Sequence, residues 1–156
     1  MGNKSILGGL AVIVLLVGAS CSGGRSPLNL GVTEGRLTPC PGSPNCVSSQ
    51  ATDADRRVEP LRYADDFAEA RARLLEILRG MERVQIQRAD DDYLHAEFRS
   101  AVFGFVDDVE FYFSPPGVIQ VRSASRTGYY DFGVNRNRVE RIHQIWRTNR
   151  SPASGG

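Results

Sequence analysis

The run from Val121 to Arg138 (VRSASRTGYYDFGVNRNR) holds Arg122, Arg126, Arg136 and Arg138 with one acid, Asp131, and two glycines, Gly128 and Gly133. A guanidinium is always charged and presents a planar fork of donors. Several of them on one turn are therefore either neutralised by carboxylates of the fold or kept to bind an anion. Asp107, Asp108 and Glu110 lie a few residues upstream, so the first outcome is ion pairing of Arg122 and its neighbours with these acids and Asp131. In the second outcome Arg126, Arg136 and Arg138 meet the start of a helix at Asn135 and bind phosphate or carboxylate, because the amides of a helix N-terminus are unpaired and favour anions. Gly128 and Gly133 suit a tight turn in either case.

Catalysis is the competing chemistry, with Asp107 and Asp108 as the carboxylates of a hydrolase-like envelope enzyme. His95 falls in a strand among surface residues and His143 on the polar side of the last helix, neither beside a nucleophile. Clustered acids can hold calcium or magnesium, but the nearby guanidinium groups would repel a cation. The sequence thus nominates no catalytic residue, metal or cofactor. With 19 basic against 18 acidic residues, no net field draws the chain to nucleic acid or anionic lipid, so electrostatic effects must be local.

The elements that position these groups follow from periodicity. Phe67, Ala70, Leu74, Ile77 and Leu78 recur at helical spacing between Asp65, a candidate cap, and Gly80. Val84 to Arg88 and Tyr93 to Ser100 alternate as strands around the polar turn at Ala89 to Asp92. A third strand, Phe105 to Phe113, carries Phe105, Asp107, Val109, Phe111 and Phe113 in one phase. Pro115 and Pro116 then force a turn, and Ile119 to Ser125 returns. Matching the apolar phases pairs Phe113 with Ile119, Phe111 with Val121 and Val109 with Ser123, which sets Glu110 opposite Arg122. A last helix begins near Asn135 as N-cap, with Val134 and Val139 at staple positions and Val139, Ile142, Ile145 and Trp146 as its apolar stripe. The expected fold is two-layer α+β: a helix, a four-stranded antiparallel meander and a helix, one sheet face covered.

The N-terminus reads as an export signal. Lys4, the only lysine, precedes an apolar run from Ile6 to Ala19, shorter than the ~20 residues of a comfortable span. It ends Val17-Gly18-Ala19-Ser20-Cys21, similar to a lipobox in which Cys21 receives a diacylglyceryl group, although Gly18 departs from the usual aliphatic residue. Ser22 in place of aspartate favours the periplasmic side of the outer membrane, the inner membrane being the alternative. The expected organisation is a signal peptide over 1–20 with lipidation at Cys21, a flexible linker over 22–38, a domain over 39–148 and a disordered tail over 149–156. In an oxidising compartment Cys40 and Cys46 remain as an even pair, and a disulfide follows. Their five-residue gap is not the spacing of a zinc knuckle or a Cys-x-x-Cys redox pair.

Three blocks, CPGSPNCVSS, Phe103 to Phe111 and RSASRTGYYDFGVNRNRVERI, resemble the signature of the DUF1499 family over roughly residues 37–147. The resemblance implies an exported or membrane-associated protein and no established activity. It directs attention to Cys40, Cys46, Asp107, Asp108, Arg122, Ser123, Arg126, Gly128, Asp131, Gly133, Asn135 and Arg138, none in a catalytic role. The expectation is a lipid-anchored envelope protein, a binding or scaffold domain with an arginine-lined site for an anionic small molecule or lipid headgroup. The alternatives are the carboxylate enzyme and a purely structural ion-pair network.

Overall fold

The computed structural model describes residues 29–149. The signal run, the lipobox with Cys21, the first part of the linker and the tail beyond Asn149 lie outside the described residues.

Helix α1 spans Phe67–Gly80. Its cap is Asp66, whose carboxylate accepts the Ala68 N–H, while Asp65, the expected cap, pairs with Arg73 at 2.7 Å. Ala70, Leu74, Leu75, Ile77 and Leu78 form its buried stripe. Four strands follow, numbered from the fifth of the chain: β5 Val84–Ala89, β6 Tyr93–Arg99, β7 Val106–Phe113 and β8 Val118–Ser125. They form the expected antiparallel meander, with Phe113 opposite Ile119, Phe111 opposite Val121, Val109 opposite Ser123 and Glu110 opposite Arg122. Phe105, expected in the inward phase of the third strand, precedes β7 and is exposed. Helix α2, Val134–Thr148, closes the domain against β8.

The sheet is wider than four strands. Two short segments pair with β8 on its free side: β3, Cys46–Ser48, with Cys46 opposite Ala124, and β4, Leu61–Arg62, with Leu61 opposite Ile119. Neither is long enough to show a periodicity, so the four-stranded expectation becomes a six-stranded sheet. Residues within the expected linker also form structure. β1, Val32–Thr33, and β2, Arg36–Leu37, make a hairpin through Glu34 and Gly35, both at positive φ (51° and 72°), the backbone a two-residue hairpin loop favours. A 3-10 turn at Ala54–Arg56 links β3 to β4.

The core lies between the helices and one sheet face. Leu74 and Leu78 of α1 and Val139, Ile142 and Trp146 of α2 pack with Leu94, Ala96, Val109, Phe111, Ile119 and Val121 of the sheet. The Trp146 indole donates to the Arg62 carbonyl at 2.9 Å and stacks under Arg73, whose guanidinium carbon lies 3.8 Å from the ring centre, a desolvated cation over an aromatic face.

Candidate functional site

Sequence reasoning left the outer face of the sheet uncovered and placed His95 among surface residues. Instead His95, Glu97, Asp108, Glu110 and Arg122 are all buried there. Burying charge without partners costs several kcal/mol per ion, roughly, so this face must be internally neutralised, and it is. Arg122 Nη1 donates to Glu110 Oε2 at 2.7 Å, while Glu110 Oε1 accepts from the Tyr93 hydroxyl at 2.8 Å and from the Gly31 backbone N–H, beside the β1–β2 hairpin, at 2.6 Å. Burial, reinforced by Glu110, raises the Tyr93 phenol well above its ordinary value, which keeps it a neutral donor. Nε and Nη2 of Arg122 have no acceptor among the described residues.

A second group lies beside the first. Arg126 grips Asp108 with two parallel bonds, Nε to Oδ2 at 2.8 Å and Nη2 to Oδ1 at 2.7 Å, and also donates to Glu97. His95 Nε2 shares the same Asp108 oxygen at 2.6 Å, and Arg99 donates to Glu97 at 3.3 Å. Burial pushes the Asp108 carboxyl up, but the bonds from Arg126 and His95 outweigh it and hold the group below the ordinary value of 3.8. The bonds to Asp108 in turn raise Arg126.

On the helix side a third cluster forms around Asn135. Sequence reasoning made Asn135 the N-cap, but α2 begins at Val134 after Gly133, which takes the left-handed conformation at φ 79°. Val134 therefore stands inside the first turn rather than ahead of the cap. Asp131 does the capping: its carboxylate accepts the N–H groups of Gly133 and Asn135, and its carbonyl accepts that of Val134. Asn135 is fully buried. Its Oδ1 accepts from Ser123 at 2.6 Å and Arg138 at 2.7 Å, and its Nδ2 faces the Asn45 carbonyl, Ser125 Oγ and Asp131. Arg138 also donates to Asp107 and to Ser123. Replacing Asn135 by alanine leaves the buried Ser123 hydroxyl without its acceptor and takes one donor from the Asn45 carbonyl and one acceptor from Arg138, so a loss of about 1–3 kcal/mol is expected in urea unfolding; a change of a few tenths would show the cluster to be dispensable.

The arginine set thus does not converge. Arg122 and Arg126 serve the outer face, Arg138 serves the helix side, and Arg136 is turned to the flank of α2, where it donates to the carbonyls of Arg57 and Asp55. Asp107 and Asp108 are likewise split between faces by strand alternation, each with its own arginine. Cys40 and Cys46 form a disulfide, and within its ring Asn45 bonds the Gly128 carbonyl at 2.6 Å as well as Asn135. Asn45, Tyr93, His95, Glu97 and Ser125 belong to these networks without having been nominated by sequence. His95 in particular is buried against Asp108 and not at the surface, and His143 is held by the Glu59 carbonyl at 2.7 Å.

A groove of about 730 Å³ does collect cations. It runs between the end of α1, the start of α2 and the sheet, with a floor that includes Ile77, Met81, Phe98 and Ile145 and walls bearing Arg83, Arg99, Arg138 and Arg141. Glu82 is the one carboxylate lining it. Arg83 pairs with that exposed Glu82, Arg99 and Arg138 are shared with Glu97 and Asp107, and Arg141 is exposed with no carboxylate partner among the described residues.

The fold and these networks define a two-layer α+β domain with buried, internally neutralised polar clusters. The chain belongs to the DUF1499 family, described as a protein of unknown function, whose profile matches residues 36–145. The match takes in the disulfide loop, both aspartates and the whole arginine-bearing segment. No curated protein matches the chain.

Proposed function

We propose that this is a non-catalytic, lipid-anchored envelope protein, a binding domain that takes anionic ligands in the groove between the two helices. The carrying observation is four guanidinium groups gathered above an apolar floor, three of them shared with carboxylates and Arg141 exposed with no carboxylate partner among the described residues. Such a site suits an amphiphilic anion, its charged end on the arginines and its apolar part on Met81, Phe98 and Ile145. A binding role is also supported by the engagement of both histidines and of Asp107 and Asp108 in bonds within the fold, each aspartate already holding its own arginine. The lipid anchor rests on the lipobox-like approach to Cys21; an unmodified Cys21 in membrane-extracted protein, by mass spectrometry, would refute it.

Glycerol phosphate is a suitable probe. Added to the detergent-solubilised full chain, it is expected to shift the amide resonances of Arg83, Arg99, Arg138 and Arg141, and Arg83→Ala with Arg141→Ala should remove most of that response while leaving the fold unchanged. Shifts scattered over other arginines, or unaltered by the double substitution, would refute the groove as the binding site.

A further inference from the structure

We propose that one end of the sheet is a membrane-docking surface that seats on the lipid bilayer. The end of β6, the start of β7, the end of β8 and the start of α2 all meet there. The loop between β6 and β7 exposes Val102, Phe103 and Phe105, and the loop between β8 and α2 exposes Tyr129, Tyr130 and Phe132. The two loops are neighbours, since Arg126 donates its N–H to the Val106 carbonyl across their bases at 3.1 Å. Phe103 stacks on Phe105 with ring centres 5.6 Å apart, and Tyr130 meets Phe132 edge-on at 5.3 Å, so the rings are organised rather than scattered. Phe132 is 85% exposed and Phe103 76%, and a concentration of large apolar groups on one surface marks an interaction site.

Charge and chain length select a bilayer as the occupant. The arginine groove opens at this same end, bounded by Arg99 and Val134, so cations flank the aromatic loops as they do in segments that sit in the headgroup layer. The far end of the sheet carries the turn with Asp91 and Asp92, both exposed and outside any ion pair among the described residues, and an anionic surface would repel it. Ten Cα-to-Cα steps lead from Cys21 to Gly31, a reach of at most ~35 Å. Gly31 is fixed over Glu110, three residues along β7 from Asp107 at the aromatic end, or about 10 Å. The tether therefore lets the loops and the acylated cysteine lie in one plane. This orientation rests on the lipid-anchored reading above and identifies the groove's ligand as an anionic headgroup of that bilayer.

Trp146, the only tryptophan, is buried, so a tryptophan placed on a loop reports its own surroundings. Full-chain Phe103→Trp, Phe132→Trp and, as a control at the far end, Asp91→Trp would be reconstituted into phosphatidylethanolamine vesicles containing phosphatidylglycerol and a brominated lipid. The two loop probes are expected to shift to the blue and be quenched, with Asp91→Trp unaffected. Vesicle-bound protein whose loop probes match the control overturns the docking surface and leaves the anchor standing, and so does a blue shift without quenching, which would mark a protein contact. Quenched loop probes in protein whose Cys21 carries no lipid would uphold the surface and remove the anchor.

Discussion

Arg122→Met is expected to destabilise the domain by about 3–5 kcal/mol, because it leaves the Glu110 carboxylate charged, fully buried and without its cation. Truncating one partner of a buried pair is costly for that reason, whereas replacing the whole unit by apolar groups of similar volume is often close to neutral. Here the second outcome is favoured further, since two of the Arg122 nitrogens have no acceptor among the described residues and contribute desolvation without a bond. The triple variant Tyr93→Phe, Glu110→Leu, Arg122→Met, which also removes the hydroxyl that donates to Glu110, should recover most of the lost stability in urea unfolding. A triple variant as unstable as the single one would show that the unit contributes more than mutual neutralisation.

Arg126→Ala should cost about as much, roughly 3–5 kcal/mol at neutral pH, because Asp108 and Glu97 both lose a guanidinium that is itself largely buried. This loss has a pH signature. The Asp108 carboxyl is depressed in the folded protein, so its contribution is complete above the unfolded value, near 4, and disappears as pH falls through the lower folded value. The gap between wild type and Arg126→Ala should therefore be widest above about pH 5 and narrow steadily on acidification below pH 4. A gap that stays constant down to pH 3 would place the effect in packing and not in the ion pair.

These networks explain what the sequence could and could not reveal. The β7–β8 register was legible because Pro115 and Pro116 fix the turn and the phases of Val109, Phe111 and Phe113 match those of Ser123, Val121 and Ile119. The pairing of Glu110 with Arg122 came with it. The outer face was misread, since alternation of polar with apolar residues ordinarily means one wet side; that Tyr93, His95 and Glu97 are buried depends on partners from β7 and β8 and, at Glu110, on Gly31 beside the N-terminal hairpin. The arginines could be counted but not assigned, because whether a guanidinium meets a carboxylate depends on which face of the sheet each reaches. Arg126 and Arg138 are separated in this way although both follow the same strand. Asn45 lay in the CPGSPNCVSS block but its role could not be read there, since its side chain and carbonyl meet Gly128 and Asn135, 83 and 90 residues away.

Among the described residues the sheet partner of both β3 and β4 is β8, so these two segments cannot join the sheet until nearly all the chain has been synthesised. Closing such distant contacts is slow. The β1–β2 hairpin and the β5–β6–β7 meander are local, whereas β3 and β4, though near the start of the domain, are among the last strands able to dock.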